Sequence, residues 1–325
     1  MSRQHVAVVV VGLCVTLVAG TLAEVNQHLS RADSPALEPS EAKPREPSGA
    51  KSRDTSRIDA ECSMRLYVTP SRLAELCDTL ASRSDVCRLT LSYSLRDEFP
   101  VSLLRVMRQL PRLEFVYFDT EVVFSAEAVE AISNCPSIRA LLIHQNSKFE
   151  SNSFRHLRNL KSLRSVQLPA KYAHAFLAQV DYIPEIRWIR FEGQCPQQPV
   201  TRATQNAIRR LDGRLKVFET SAYSMMNSSI LRALSGVRSL EVLSVEVEEG
   251  FLLSDAVALS RLKNLRFFSV GFSSEGLSEA DKRAARSILH RIRISTQTRS
   301  RAELESRLEK RAASQTVDLQ PPPGE

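Results

Sequence analysis

The chain has 325 residues, of which 43% are hydrophobic and 25% charged. That length allows one large or two ordinary domains, and that balance excludes a wholly disordered chain. The net charge of +7 comes from 44 basic and 37 acidic residues that alternate along the sequence; this reads as a mixed surface with a mild basic excess, so no nucleic acid partner is expected.

In chain order, Arg3 and the amino terminus precede an uncharged apolar run, Val6 to Ala23, which ends in small residues before Glu24. Two readings stay open for residues 1–24: a cleaved signal peptide, or a retained transmembrane anchor that would be the route to a membrane. Both export the remainder. Residues 25–57 hold Pro35, Pro39, Pro44 and Pro47 among polar side chains. A segment this poor in large apolar residues cannot offset its own ordering entropy and is expected to be a disordered linker.

A periodic region follows, bounded here at 58–295. Met64–Val68 is predicted as a strand and Pro70–Leu80 as a helix, with Thr69 as its cap. From Val86 onward one phrase recurs, with apolar residues at places 1, 4 and 6. It starts at Val86, Leu113, Ile138, Leu163, Ile186, Leu215, Leu240, Leu265 and Leu289, at spacings of 23 to 29 residues. Of these 27 places, 26 are apolar, and Thr220 is the exception. Helical segments are expected between the phrases, capped at Ser125, Ser153, Ser228, Ser254 and Ser278. A strand followed by a helix, repeated at a fixed period, predicts parallel strands with the helices on one side.

Leu-x-x-Leu-x-Leu at about 25 residues resembles the leucine-rich repeat proteins, in their divergent bacterial exported or membrane-anchored form. The resemblance implies an α/β fold: a right-handed solenoid (horseshoe) of about nine repeats, with parallel strands on its concave face and helices on its convex face. The family's Asn or Cys at the ninth place is matched only by Asn146. Residues 296–325 fall outside the period; Arg299–Ala313 is expected to be a charged helix, either capping the solenoid or solvated, before a disordered end at Pro321–Gly324.

Six cysteines are present, without a CxxC pair or a zinc-like His spacing, so no metal is expected. Cys62, Cys77 and Cys87 are close enough for one bridge in an oxidising compartment; buried free thiols are the alternative. None of the sequence patterns of nucleophilic, phosphate-binding or zinc-dependent catalysis occurs, and no catalytic residue or cofactor is expected.

Side chains between the core places of a strand point to the other face. That set includes Asp119, Gln167, Glu192, Glu219, Val242 and Glu246. Phe115, Tyr117, Leu142, His144, Trp188, Arg190 and Phe267 are the candidate ligand-binding residues, because aromatic side chains next to Arg are common interface anchors. The expected function is a non-enzymatic protein- or peptide-binding module using this concave face. The alternative is a structural spacer or scaffold of the cell envelope.

Overall fold

In the computed structural model the described residues are 62–93, 98–150, 153–193, 200–220, 225–226, 228–247, 250–272 and 277–316. Contacts divide the chain into Met1–Arg53 and Asp54–Glu325, and every described residue lies in the second unit. The apolar run, the linker, residues 194–199 and the end of the chain lie outside the described residues.

Ten strands form one sheet, in the order β1-β2-β3-β5-β7-β8-β9-β11, with β10 and β12 both paired to β11. Nine of them carry the repeat: β1 (Ser63–Val68), β2 (Arg88–Tyr93), β3 (Phe115–Phe118), β5 (Ala140–Ile143), β7 (Ser165–Pro169), β8 (Trp188–Glu192), β9 (Val217–Thr220), β11 (Val242–Val247) and β12 (Phe267–Phe272). The short β10 (Met225–Met226) pairs with the far end of β11. Every pairing is parallel and in register, Val116 with Leu141 and Val166 with Ile189 for example. Seven helices alternate with the strands: α1 (Leu73–Ala81), α2 (Val101–Met107), α3 (Ala126–Ser133), α4 (Ala173–Leu177), α5 (Arg202–Arg209), α6 (Ser228–Leu234) and α7 (Leu253–Leu259). The long α8 (Glu279–Thr316) follows β12.

The phrase works as its periodicity dictates. Places 1, 4 and 6 from Val86 to Phe268 are buried and join the buried helical side chains in one continuous core. Place 2 splices neighbouring repeats: its carbonyl accepts the N–H groups of places 2 and 3 of the next repeat. Arg164 and Ser165 thus donate to the Arg139 carbonyl at 2.7 and 2.9 Å, and Arg187 and Trp188 to that of Arg164 at 2.8 and 2.9 Å. This satisfies backbone groups that a buried parallel sheet cannot leave unpaired.

In the turns leaving the strands, hydroxyls take up backbone donors. Thr120 Oγ1 accepts from the Tyr93 N–H at 2.8 Å, and buried Ser147 Oγ from that of Val122 at 3.3 Å, while Asn146 is exposed. Beyond the turns β4 (Val123–Phe124) pairs with β6 (Lys148–Phe149) as a second small sheet. It carries an aromatic chain in which Phe99 meets Phe118 at 5.1 Å, Phe118 meets Phe124 at 4.9 Å and Phe124 meets Phe149 at 5.0 Å.

The Leu289 phrase is not a ninth strand. It lies inside α8, whose buried positions Ala285, Leu289, Ile292 and Thr296 recur at helical spacing, while Ile294, expected inward, is 48% exposed. Places 1 and 4, three apart, also fit one face of a helix; only places 4 and 6, two apart, mark a strand. The ninth repeat is supplied at the other end by β1. The boundary read at residue 295 therefore falls within a helix. α8 closes the last repeat: Arg299 Nη1 donates to the Lys263 carbonyl, Ser300 Oγ to that of Arg266 at 2.7 Å, and Arg266 pairs with Glu303 at 3.2 Å.

Helix starts follow the capping expectations in part. Ser125 accepts from the Ala128 N–H at 3.2 Å, and Ser278 from that of Asp281 at 3.1 Å. Ser153 opens a 3-10 helix to Asn159 rather than an α-helix. Ser254 lies inside α7, where the Asp255 carboxylate instead accepts the Leu252 N–H at 2.8 Å, and Val257 is 43% exposed rather than core. Cys62 and Cys87 are joined by a disulfide at the start of β1 and β2, with Cα atoms 5.3 Å apart, while Cys77 and Cys135 are free.

Candidate functional site

The register of the sheet arranges the side chains opposite the helices in rows. Place 3 gives Arg88, Phe115, Ala140, Ser165, Trp188, Val217, Val242 and Phe267 in consecutive strands. Place 5 gives Thr90, Tyr117, Leu142, Gln167, Arg190, Glu219, Ser244 and Ser269. Parallel strands lie about 4.8 Å apart, so each row is an unbroken side-chain ladder. The first is mainly apolar and the second mainly polar.

Six of the seven candidate residues fall on these rows, with different exposures. Phe267 is 46% exposed at the β12 end, and Phe115, Tyr117, Leu142 and Arg190 are half-buried. The Arg88 guanidinium sits 5.9 Å from the centre of the Phe115 ring. Trp188 is not the exposed anchor that its residue type suggested. It is only 6% exposed, and its indole N–H donates to Glu219 Oε2 at 3.0 Å. His144 lies just past β5, where its Nδ1 accepts the Asn146 N–H at 3.3 Å, so it serves its own turn.

The polar groups of the central strands are committed to one another. Glu192 accepts from Arg190 Nη2 at 2.8 Å and from Gln167 Nε2 at 2.9 Å. Burial raises the Glu219 carboxyl above the ordinary glutamate range, against the pull of Arg190 and of the Trp188 hydrogen bond. Burial also raises the Tyr117 hydroxyl, with smaller contributions from Glu192 and Asp119. Gln167, Glu192 and Glu219 belong to the outward-facing set beyond the seven candidates, and the signal that marks them is their shared register with Trp188 and Arg190. Tyr67, 62% exposed in β1, is the largest omission, because β1 lies ahead of the first counted phrase.

Among the described residues no group of three or more His, Cys, Asp or Glu side chains is placed to hold a metal, and no helix is long and apolar enough to cross a membrane. A recess on the helical side, between α2 and α3, is lined by Arg105, Arg108, Glu127 and Glu130.

No protein-family model matches the chain, and no curated protein matches it. Among solved structures, one described as "Crystal structure of TLR13-ssRNA13 complex" overlaps with a TM-score of 0.34 and 14% sequence identity, covering 64% of this chain and 36% of that one. This chain therefore spans well under two thirds of that protein's length, and an overlap so loose carries nothing about ligand. The leucine-rich-repeat-like character rests on the chain itself: a parallel sheet built from one phrase, with helices between its strands.

Proposed function

We propose that the chain is an exported, non-enzymatic binding module that holds a protein or peptide on the sheet face opposite its helices, the concave face of a horseshoe. One observation carries this reading. The repeat constrains places 1, 4 and 6 for the core, yet the unconstrained places still form an apolar ladder from Phe115 to exposed Phe267 beside a polar one. Aromatic side chains flanked by charged partners give apolar area with orientation, as binding surfaces require. The Cys62–Cys87 bridge and the apolar run at Val6–Ala23 fit an oxidising, exported setting.

The test is site-specific photo-crosslinking in the producing cell, with a photoreactive phenylalanine analogue at position 267 or 117 and, as a control, at exposed Val257 on the helical side. The expected result is a discrete adduct from 267 and 117 that is missing from 257. The same adduct pattern at all three positions, or none at 267 and 117, overturns the reading.

A further inference from the structure

Charges that alternate along the sequence are sorted by the fold. Each strand starts at the same end of the sheet, so the helix-to-strand turns lie side by side there. Seven of these spans (108–114, 134–139, 160–164, 183–187, 210–216, 235–241 and 260–266) carry thirteen basic and four acidic residues. Their net charge of +9 exceeds the +7 of the whole chain. The described strand-to-helix spans carry no such excess: Glu98, Asp119, Glu121 and Glu150 stand against Arg72, Lys148 and Lys171.

The basic end is displayed to solvent. Arg108, Arg112, Lys161, Arg261 and Lys263 of these spans are exposed, as is Arg209, the last residue of α5 beside them. Neighbouring turns are tied through the place-2 carbonyls, which sets them about 4.8 Å apart at the sheet edge. Tyr182 stands among them, 56% exposed, with its carbonyl accepting Lys161 Nζ at 3.2 Å.

We infer that this turn end docks against a bilayer surface carrying anionic headgroups. Two features favour lipid over another polyanion. First, the chain enters the domain at this end: Cys62, next to β1, accepts from Cys87 at the head of the same turn row, and the apolar run Val6–Ala23 lies upstream of it. The upstream segment therefore joins the folded domain at its basic end. Second, the basic residues occupy seven adjacent turns with a tyrosine between them, and Tyr beside Lys and Arg is the usual composition of a membrane interface. Basic residues near an anionic leaflet are attracted to it, and salt screens that attraction within a Debye length. The inference draws on the export reading of the N-terminal run and is independent of the opposite sheet face, so photo-crosslinking and the following experiment fail separately.

The experiment places the full chain in nanodiscs of neutral phosphatidylcholine, or of the same lipid with phosphatidylglycerol, and measures amine-reactive labelling of individual lysines. Lys161 and Lys263 report the basic end and exposed Lys148 the opposite end. Labelling of Lys161 and Lys263 should slow at least threefold in anionic discs relative to neutral ones, Lys148 should be unaffected, and 1 M salt should remove the difference. Replacing Arg108, Arg112, Arg209 and Arg261 together by Gln should lose most of that protection while circular dichroism confirms the fold. Equal labelling of the two ends in anionic discs overturns the inference, whether or not the apolar run inserts. So does protection of Lys161 and Lys263 by duplex DNA at physiological salt without protection by anionic lipid.

Discussion

The indole N–H of Trp188 donates to Glu219 Oε2 at 3.0 Å, between strands β8 and β9. The contact couples a fluorophore to a half-buried carboxyl whose proton is held above the ordinary glutamate range, chiefly by desolvation. The folded chain thus binds this proton more tightly than the unfolded chain. The stability contributed by this group is complete below the unfolded glutamate value and is lost as pH rises through the folded one. Trp188 is the only tryptophan, so its emission should titrate with a midpoint above 4.5. Glu219→Gln should abolish that transition, keep an acceptor for the indole, and leave the protein at least as stable as the parent at pH 7. A parent emission flat from pH 4 to 8 would contradict this.

The Cys62–Cys87 bridge should matter mainly for the first strand. It closes a loop with a sequence separation of 25, for which chain entropy gives about 3 kcal/mol. Replacing both cysteines by Ser should lower the midpoint of denaturant unfolding by a corresponding amount. Hydrogen exchange in Ser63–Val68 should accelerate most, because β1 is paired along one edge only. Uniform acceleration across the sheet would show that the bridge supports the whole fold.

Asp255 joins α7 to α6. Its Oδ1 accepts Arg232 Nε at 2.6 Å, its Oδ2 accepts the Leu252 N–H at 2.8 Å, and the residue is 3% exposed. Removing it strips the Arg of its partner and the helix of its cap. Asp255→Ala should cost about 2–3 kcal/mol in chemical denaturation, since hydrogen bonds to charged groups contribute about 1.5–3 kcal/mol each and Arg232 remains partly solvated. Asp255→Asn, which keeps an acceptor for Leu252, should cost less. Equal losses would assign the whole effect to the charge.

α8 should behave as a cap over its first half. Leu289→Asp places a charge where the side chain is 7% exposed against the last repeat and should unfold β12 preferentially. A truncation after Glu303 keeps the Arg299, Ser300 and Glu303 contacts and should leave the melting temperature within about 2 °C, as expected for a change below about 0.5 kcal/mol. A large loss on that truncation would extend the cap to the end of the helix.

The core of this fold was legible because place 4 and place 6 of the phrase answer to one constraint, burial against the helices, repeated in every copy. The Leu289 phrase resembles a repeat because Leu289 and Ile292, three apart, fill places 1 and 4 of the phrase and equally one face of a helix. The β4–β6 pair went unseen because two-residue strands carry no period; Phe124 and Phe149 are placed by ring contacts. On the outer face the sequence identified the row but not the exposure. Trp188 is buried by its surroundings and by its bond to Glu219, a relation across strands that no single phrase encodes. The charge segregation was hidden for a related reason. Acids and bases alternate along the chain, and only stacking the turns shows the basic excess gathered at one end.

Thr220 tests the repeat at its one departure. It occupies place 6 of its phrase, is 9% exposed, and its Oγ1 has no hydrogen-bond partner among the described residues. Every other place 6 from Leu91 to Val270 is apolar. An unsatisfied buried hydroxyl costs about 1–3 kcal/mol, and valine has the same branched shape without it. Thr220→Val should therefore raise stability, by about 1 kcal/mol in denaturant unfolding at unchanged m-value. If Thr220→Val instead loses stability while Thr220→Ser holds it, the hydroxyl has a partner in the folded chain, and place 6 of this repeat is polar for a structural reason.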